Sequence, residues 1–204
     1  MRQPQLYPLI IRREHFMPER NAQISGEGMA FIASLRAAEK AGGMWLAFQD
    51  SKGRCAVKPQ DIISFAQIKH IDWLSQARIT VDFTVLSWGV VTSKAPTFCS
   101  TWMTQTIEAT PCELWPMMLQ HKNVQELQQT LQKINVTYPE LQVTNLNQEL
   151  ENNQVKSLCW RWLELLPLPI NTKQRLLKSP SASLCIRYLG FILRQSDRFN
   201  QLPR

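Results

Sequence analysis

The amino-acid sequence predicts an α+β protein, β-rich over residues 1–110 and α-helical over residues 111–204. Three observations carry that expectation. Arg78 to Val85 alternates strictly, with Ile79, Val81, Phe83 and Val85 on one face and Arg78, Thr80, Asp82 and Thr84 on the other, which is the period of a half-buried strand. Beyond Pro111 the apolar spacing becomes helical, as in Val124, Leu127, Leu131 and Ile134. Trp160 to Ser179 then joins one helical run to another through a turn bounded by Pro167 and Pro169, which lack the N–H that a continuing helix would need.

Taken in order, Leu6 to Arg12 reads as a first strand, with Pro8 placing it at a sheet edge. Met29, Ile32, Ala33 and Leu35, with Arg36, Glu39 and Lys40 outside, describe a helix over residues 28–40 that Gly42-Gly43 ends. Met44 to Phe48 is an apolar strand, and Asp50-Ser51-Lys52-Gly53 turns the chain back. Ile62 to Trp73, Arg78 to Val85 and Thr97 to Glu108 are read as three further strands. Several strands around one helix fit a barrel-like sheet. In the second part helical runs fall near residues 124–134, 147–166, 171–178 and 181–199, with Asn171 or Thr172 as cap of the third. On the run ending at Leu166, Leu158, Cys159, Trp162, Leu163, Leu165 and Leu166 form the apolar face, and Lys156, Ser157, Arg161 and Glu164 the solvent face.

Composition excludes several classes. A 44% hydrophobic, 19% charged chain of 204 residues is an ordinary globular one, with no apolar run of the ~18 residues a membrane span requires. Met1 to Gln5 is followed by no apolar core of a secretory signal. Cys55, Cys99, Cys112, Cys159 and Cys185 are odd in number and widely spaced, the pattern of reduced, mostly buried thiols, and a cytoplasmic location is expected. The net charge of +7 is unevenly placed: residues 1–155 hold 14 Lys/Arg against 14 Asp/Glu, and residues 156–204 hold 9 against 2. Such a gradient steers acidic partners.

Several stretches share one resemblance. Leu163 to Leu177 reads L-E-L-L-P-L-P-I-N-T-K-Q-R-L-L and precedes a last helix rich in Leu and Arg; Leu6-Tyr7-Pro8-Leu9 opens the first strand; Ser64 to Ile68 and Gln76 to Val81 form a strand pair. In this order they resemble the Lon protease N-terminal, substrate-binding domain. The family's Gly-rich turn after the first strand is replaced by His15-Phe16-Met17-Pro18-Glu19, and its next helix start by Ser25-Gly26-Glu27-Gly28-Met29, positions that the resemblance places on the surface. It implies a PUA-like pseudo-barrel followed by a helical subdomain, with the boundary near residue 110. It also implies a divergent, free-standing version of the domain, since the chain contains neither the ATPase module nor the Ser–Lys protease of full Lon proteins.

Catalytic chemistry is not legible. The seven glycines form neither phosphate-binding pattern, and His15, His70 and His121 stand apart from one another and from cysteine ligands. No catalytic residue, cofactor or metal site is assigned. Two features stand out as candidate partner-binding elements. Trp160 falls off the apolar face of its helix, where an exposed indole can anchor a partner. Arg187, Arg194 and Arg198, spaced 7 and 4 apart, project as one stripe opposite Leu184, Tyr188, Leu189 and Ile192, and arginines so placed can grip carboxylates or phosphates.

The function implied is a non-enzymatic protein-interaction module that binds unfolded or client polypeptides. A separate protease or chaperone is a second kind of protein partner, and no membrane partner is expected. The alternative is RNA binding through the PUA-like barrel and the basic C-terminal helices. Against it, aromatic residues of the strands such as Phe83 and Trp102 read as core, not as base-stacking platforms.

Overall fold

A computed structural model describes residues 3–73, 78–92, 95–101, 103–115, 124–137 and 154–200, with side chains through residue 195. The chain divides into two compact units, residues 1–113 with 167–174, and residues 114–166 with 175–204.

The first unit is built on strands β1 (Gln5–Arg12), β2 (Arg20–Gly26), β3 (Met44–Phe48), β4 (Ile62–Asp72), β5 (Ile79–Val91), β6 (Thr97–Cys99) and β7 (Thr104–Cys112), with helix α1 (Met29–Ala41) between β2 and β3. Their order is β2-β5-β4-β3-β1-β7-β6, and a further β5–β7 pairing closes β5, β4, β3, β1 and β7 into a ring. The barrel-like sheet expected from the sequence is therefore present. Only β1–β3 is parallel, and the connection through β2 and α1 supplies the crossover that parallel strands require. Gly42, at φ 78°, ends α1 in the left-handed conformation open to glycine.

Strand β5 serves two cores because it carries a bulge. Phe65 pairs with Ser87 and Ala66 with Val85, so Leu86 is the extra residue. Before it, Val81, Phe83 and Val85 pack with Ile24, Leu35, Ala38, Met44 and Leu46, on the face that α1 covers. After it the pleat is inverted, and Val91 packs with Leu9, Trp45, Ala47, Ile63, Ile107 and Ala109, one set drawn from every strand of the ring. Ile79 packs on the first cluster, so all four residues predicted to face inward do so. The sequence reading ended this strand at Val85 because alternation breaks at the bulge. Gly89 lies where a Cβ would come within 2.5 Å of the Trp45 ring, so the indole fills the ring interior only because no side chain stands there.

Three strand expectations are corrected. Thr97 to Glu108 is not one strand but the β6–β7 hairpin, with Met103 at φ 53° in the turn; Trp102 lies outside the described residues. β2 was not foreseen, because Asn21, Gln23 and Ser25 leave it little apolar signal. β1 is not an edge strand: Gln5 to Pro8 pair with β7 and Leu9 to Arg12 with β3. Pro8 is tolerated because pairing with β3 begins one residue later.

The second unit holds α2 (Val124–Thr137), α3 (Gln154–Leu165) and α5 (Ser183–Asn200), while α4 (Ile170–Leu177) begins in the first unit and ends in the second. The boundary expected at residue 110 falls inside β7, and Pro167 to Gln174 belongs with the barrel. α2, α3 and α5 pack on one another, and the Trp162 indole donates to the Leu127 carbonyl at 3.1 Å, tying α3 to α2. Residues 147–153 of the second predicted run lie outside the described residues. α4 starts one residue earlier than expected, and the Pro169 carbonyl accepts from the Thr172 and Lys173 amides. Among the described residues no helix is long and apolar enough to cross a membrane.

Candidate functional site

The solvent face proposed for α3 is not a solvent face. Ser157, Trp160 and Arg161 are all buried, and Arg161 and Glu164 pair with side chains only 4% and 6% exposed. A helix buried on nearly every side must pair its charges internally, and a carboxylate three residues on is the nearest partner α-helical geometry offers.

Trp160 is accordingly corrected. It is 6% exposed and stacks on Trp115, with centroids 6.3 Å apart and planes 30° apart. Trp115 itself is 1% exposed and takes φ 53°, uncommon for a bulky residue, so backbone conformation and stacking together seat the pair. As it stands Trp160 is interior and not a surface anchor. The helical wheel missed this because Trp115 comes from an irregular segment with no periodicity to read.

The arginine stripe fares differently. Arg187 and Arg194 are exposed on α5, opposite Cys185, Ile186 and Leu189, which are buried. Leu184, Tyr188 and Ile192 are half-buried. The Arg194 Nε donates to the Gly190 carbonyl at 3.2 Å, and neither arginine pairs with a carboxylate among the described residues. The side chain of Arg198 lies outside the described residues. Between the two arginines the structure places a residue that sequence reasoning passed over: Phe191, 57% exposed.

A second feature lies where α4 meets the barrel, within the first unit. The Gln174 carboxamide receives the Ile62 amide and donates to the Ile62 carbonyl, both at 2.8 Å, and so stands beside β4 as a neighbouring strand would. Lys173 is 2% exposed, with its ammonium 4.4 Å from the Phe48 ring centroid. On that ring His15 stacks at 4.8 Å, edge-on to Trp88. Burial first, and the Lys173 ammonium second, hold the His15 imidazole well below its ordinary range. Its Nδ1 has no hydrogen-bond partner among the described residues. His15, Phe16, Met17 and Pro18, expected on the surface, are all buried.

Along β4 beyond its pairing with β3 runs a groove of about 430 Å³, lined in part by Glu39, Gln67, Lys69, His70 and Trp73, with the Arg36 guanidinium 5.7 Å from the Trp73 ring. Its charges are mixed. Among the described residues no three His, Cys, Asp or Glu side chains converge as metal ligands. Of the five thiols only Cys159 and Cys185 are buried, fewer than expected, and these two meet between α3 and α5.

No protein-family model matches this sequence, and no curated protein matches it. Solved structures do. A Lon N-terminal domain protein from Xanthomonas campestris superposes with a TM-score of 0.63 at 13% identity, covering 91% of this chain and 96% of that one. The N-terminal domain of a Mycobacterium avium complex Lon protease superposes at 0.64 and 14%, with the same coverage. The chain has the fold of a Lon N-terminal domain. Within that fold the L-P-L-P-I-N-T-K-Q stretch gains a physical meaning. The prolines stop α3, Ile170 packs on Phe48 and Ala56, and Lys173 and Gln174 are set against the barrel wall. The lysine and glutamine of the Lon-like text are interior here and form no binding surface.

Proposed function

We propose that this protein is a non-enzymatic polypeptide-binding module, one that captures unfolded or client chains as the resemblance to Lon substrate-binding domains implies. The observation that supports it most is the extent of the structural likeness, which takes in both the barrel and the helices over 91% of the chain. Partners of this kind include polypeptide clients and a separate protease or chaperone. The exposed apolar side chains Met29, Phe98 and Met103 of the first unit suit adaptable contacts with varied sequences.

The test is fluorescence anisotropy of the purified chain with a labelled, permanently unfolded model protein and with a labelled single-stranded oligonucleotide, each over a salt series. Polypeptide binding that changes little between about 50 and 200 mM salt supports the reading, because apolar contact is insensitive to counterions. Oligonucleotide binding that falls by orders of magnitude over that range, with no polypeptide binding, overturns it in favour of the RNA reading.

A further inference from the structure

We infer that the outer face of α5 is a docking strip for an acidic polypeptide segment that carries an apolar anchor. The inference rests on the polypeptide-binding reading and names the chemistry one part of it would select. Arg187, Phe191 and Arg194 stand at i, i+4 and i+7, a spacing that gathers them on one side of a helix. They span about 10 Å along its axis at 1.5 Å per residue. All three are exposed, and the buried residues Cys185, Ile186 and Leu189 occupy the other side, so the strip is not turned toward the interior of its own unit.

Charge names the occupant. From Leu165 to Ser196 the sequence contains Lys173, Arg175, Lys178, Arg187 and Arg194 and not one Asp or Glu. Lys173 is buried, but Arg175, Lys178, Arg187 and Arg194 are exposed in the second unit. Arg187 and Arg194 pair with no carboxylate among the described residues, and such a basic surface draws carboxylates and repels basic segments. The aromatic decides the rest. A Phe that is 57% exposed between two guanidinium groups offers an apolar partner about 100 Å² or more of ring to cover, and the flanking arginines can close on carboxylates as that ring is desolvated. Arginine and aromatic side chains are also the residues that most often dominate binding energies at interfaces. A phosphate backbone would answer the charge. However, one benzyl ring on a convex helix makes a poor stacking platform, since base-stacking proteins set several aromatics along a groove.

The experiment uses the full chain and three labelled probes: an amphipathic peptide with Leu on one face flanked by Glu, the same peptide with every Glu changed to Gln, and a single-stranded oligonucleotide. The unfolded model protein is run beside them. The Glu peptide is expected to bind about tenfold tighter than the Gln peptide at low salt, a gap that narrows as salt rises. Arg187→Gln with Arg194→Gln should abolish the gap, and Phe191→Ser should weaken both peptides about tenfold. These positions are exposed, and an unchanged circular dichroism melt identifies variants that fold. Equal binding of the two peptides, or indifference of the Glu peptide to all three substitutions, overturns the inference. If the unfolded protein still binds in that case, the polypeptide-binding reading survives and only the strip is wrong. If neither peptide nor unfolded protein binds, both readings fall. Tight oligonucleotide binding lost in the double arginine variant overturns the inference in favour of nucleic acid.

Discussion

Acidification should destabilise this protein through His15. The imidazole is 6% exposed, stacked on Phe48 and repelled by the Lys173 ammonium, and burial followed by that repulsion depresses its pKa well below 6.5. In the unfolded chain the same group titrates near 6.5. Between those two values the unfolded state binds a proton that the folded state refuses, so stability is fully present above about pH 6.5 and is lost as pH falls below it. As pH falls from the unfolded value toward the folded one, the loss approaches a limiting slope of about 1.4 kcal/mol per pH unit. The assay is urea unfolding of wild type and His15→Leu at pH 8, 7, 6 and 5, followed by tryptophan fluorescence. All other groups are common to the two chains, so the difference between the two pH profiles isolates His15. The variant should lose less stability than wild type as pH falls below about 6.5, the two profiles diverging by up to about 1.4 kcal/mol per pH unit, whatever its stability at pH 8. An NMR titration supplies the direct check, in which the His15 imidazole midpoint should lie well below 6.5. A midpoint near 6.5, or parallel stability profiles for the two chains, would falsify the account of a buried neutral histidine.

Other perturbations read out other parts of the structure. Gln174→Leu removes both partners of the Ile62 backbone and should cost about 3 kcal/mol, seen as a lowered urea midpoint; an unchanged midpoint would show that β4 does not need the carboxamide. Gly89→Ala drives a methyl into the Trp45 ring and should cost about 1–3 kcal/mol with a shift of indole emission, while a neutral result would mean the ring interior can relax. Arg161→Met alone breaks the buried ion pair with Glu164 and should cost about 3–5 kcal/mol, whereas Arg161→Met with Glu164→Leu should recover most of that in the same denaturation assay. Equal losses in the single and double variants would mean the charges matter for something other than each other. Toward a thiol reagent, Cys55, Cys99 and Cys112 should label in the folded chain, while Cys159 and Cys185 should wait for urea, by mass spectrometry.

The fold was legible where a single period governs a segment. α1 and the first half of β5 follow from helical spacing with a glycine stop and from alternation, because each packs one face on one core, while β3 is legible as an unbroken apolar run because both of its faces are buried. The sequence misled where one segment serves two environments. β5 passes from the cluster under α1 to the ring interior at Leu86, and a two-residue period cannot be followed across an inserted residue. β1 pairs with β7 along one half and with β3 along the other, so a proline that reads as an edge residue sits in the ring itself. β2 buries only Ile24, and a strand held chiefly by its backbone ladder to β5 leaves little trace in side-chain hydrophobicity.

The candidate site shows the same limit from the side of charge. A helical wheel assigns Arg161 to solvent and Trp160 to an exposed flank because it assumes that one face of α3 is wet, and α3 has no wet face over residues 157–163. The assumption holds for α5, where Arg187 and Arg194 emerge as expected. Even there the wheel was read for charge alone, and Phe191 was set aside as another apolar residue. The information was present in the sequence: Phe191 lies four residues after Arg187 and three before Arg194, so any helix that exposes both arginines must expose the ring between them. An apolar side chain flanked by two charges of one sign at helical spacing is constrained by its neighbours more firmly than by its own hydrophobicity. On α5 that constraint leaves the ring 57% exposed.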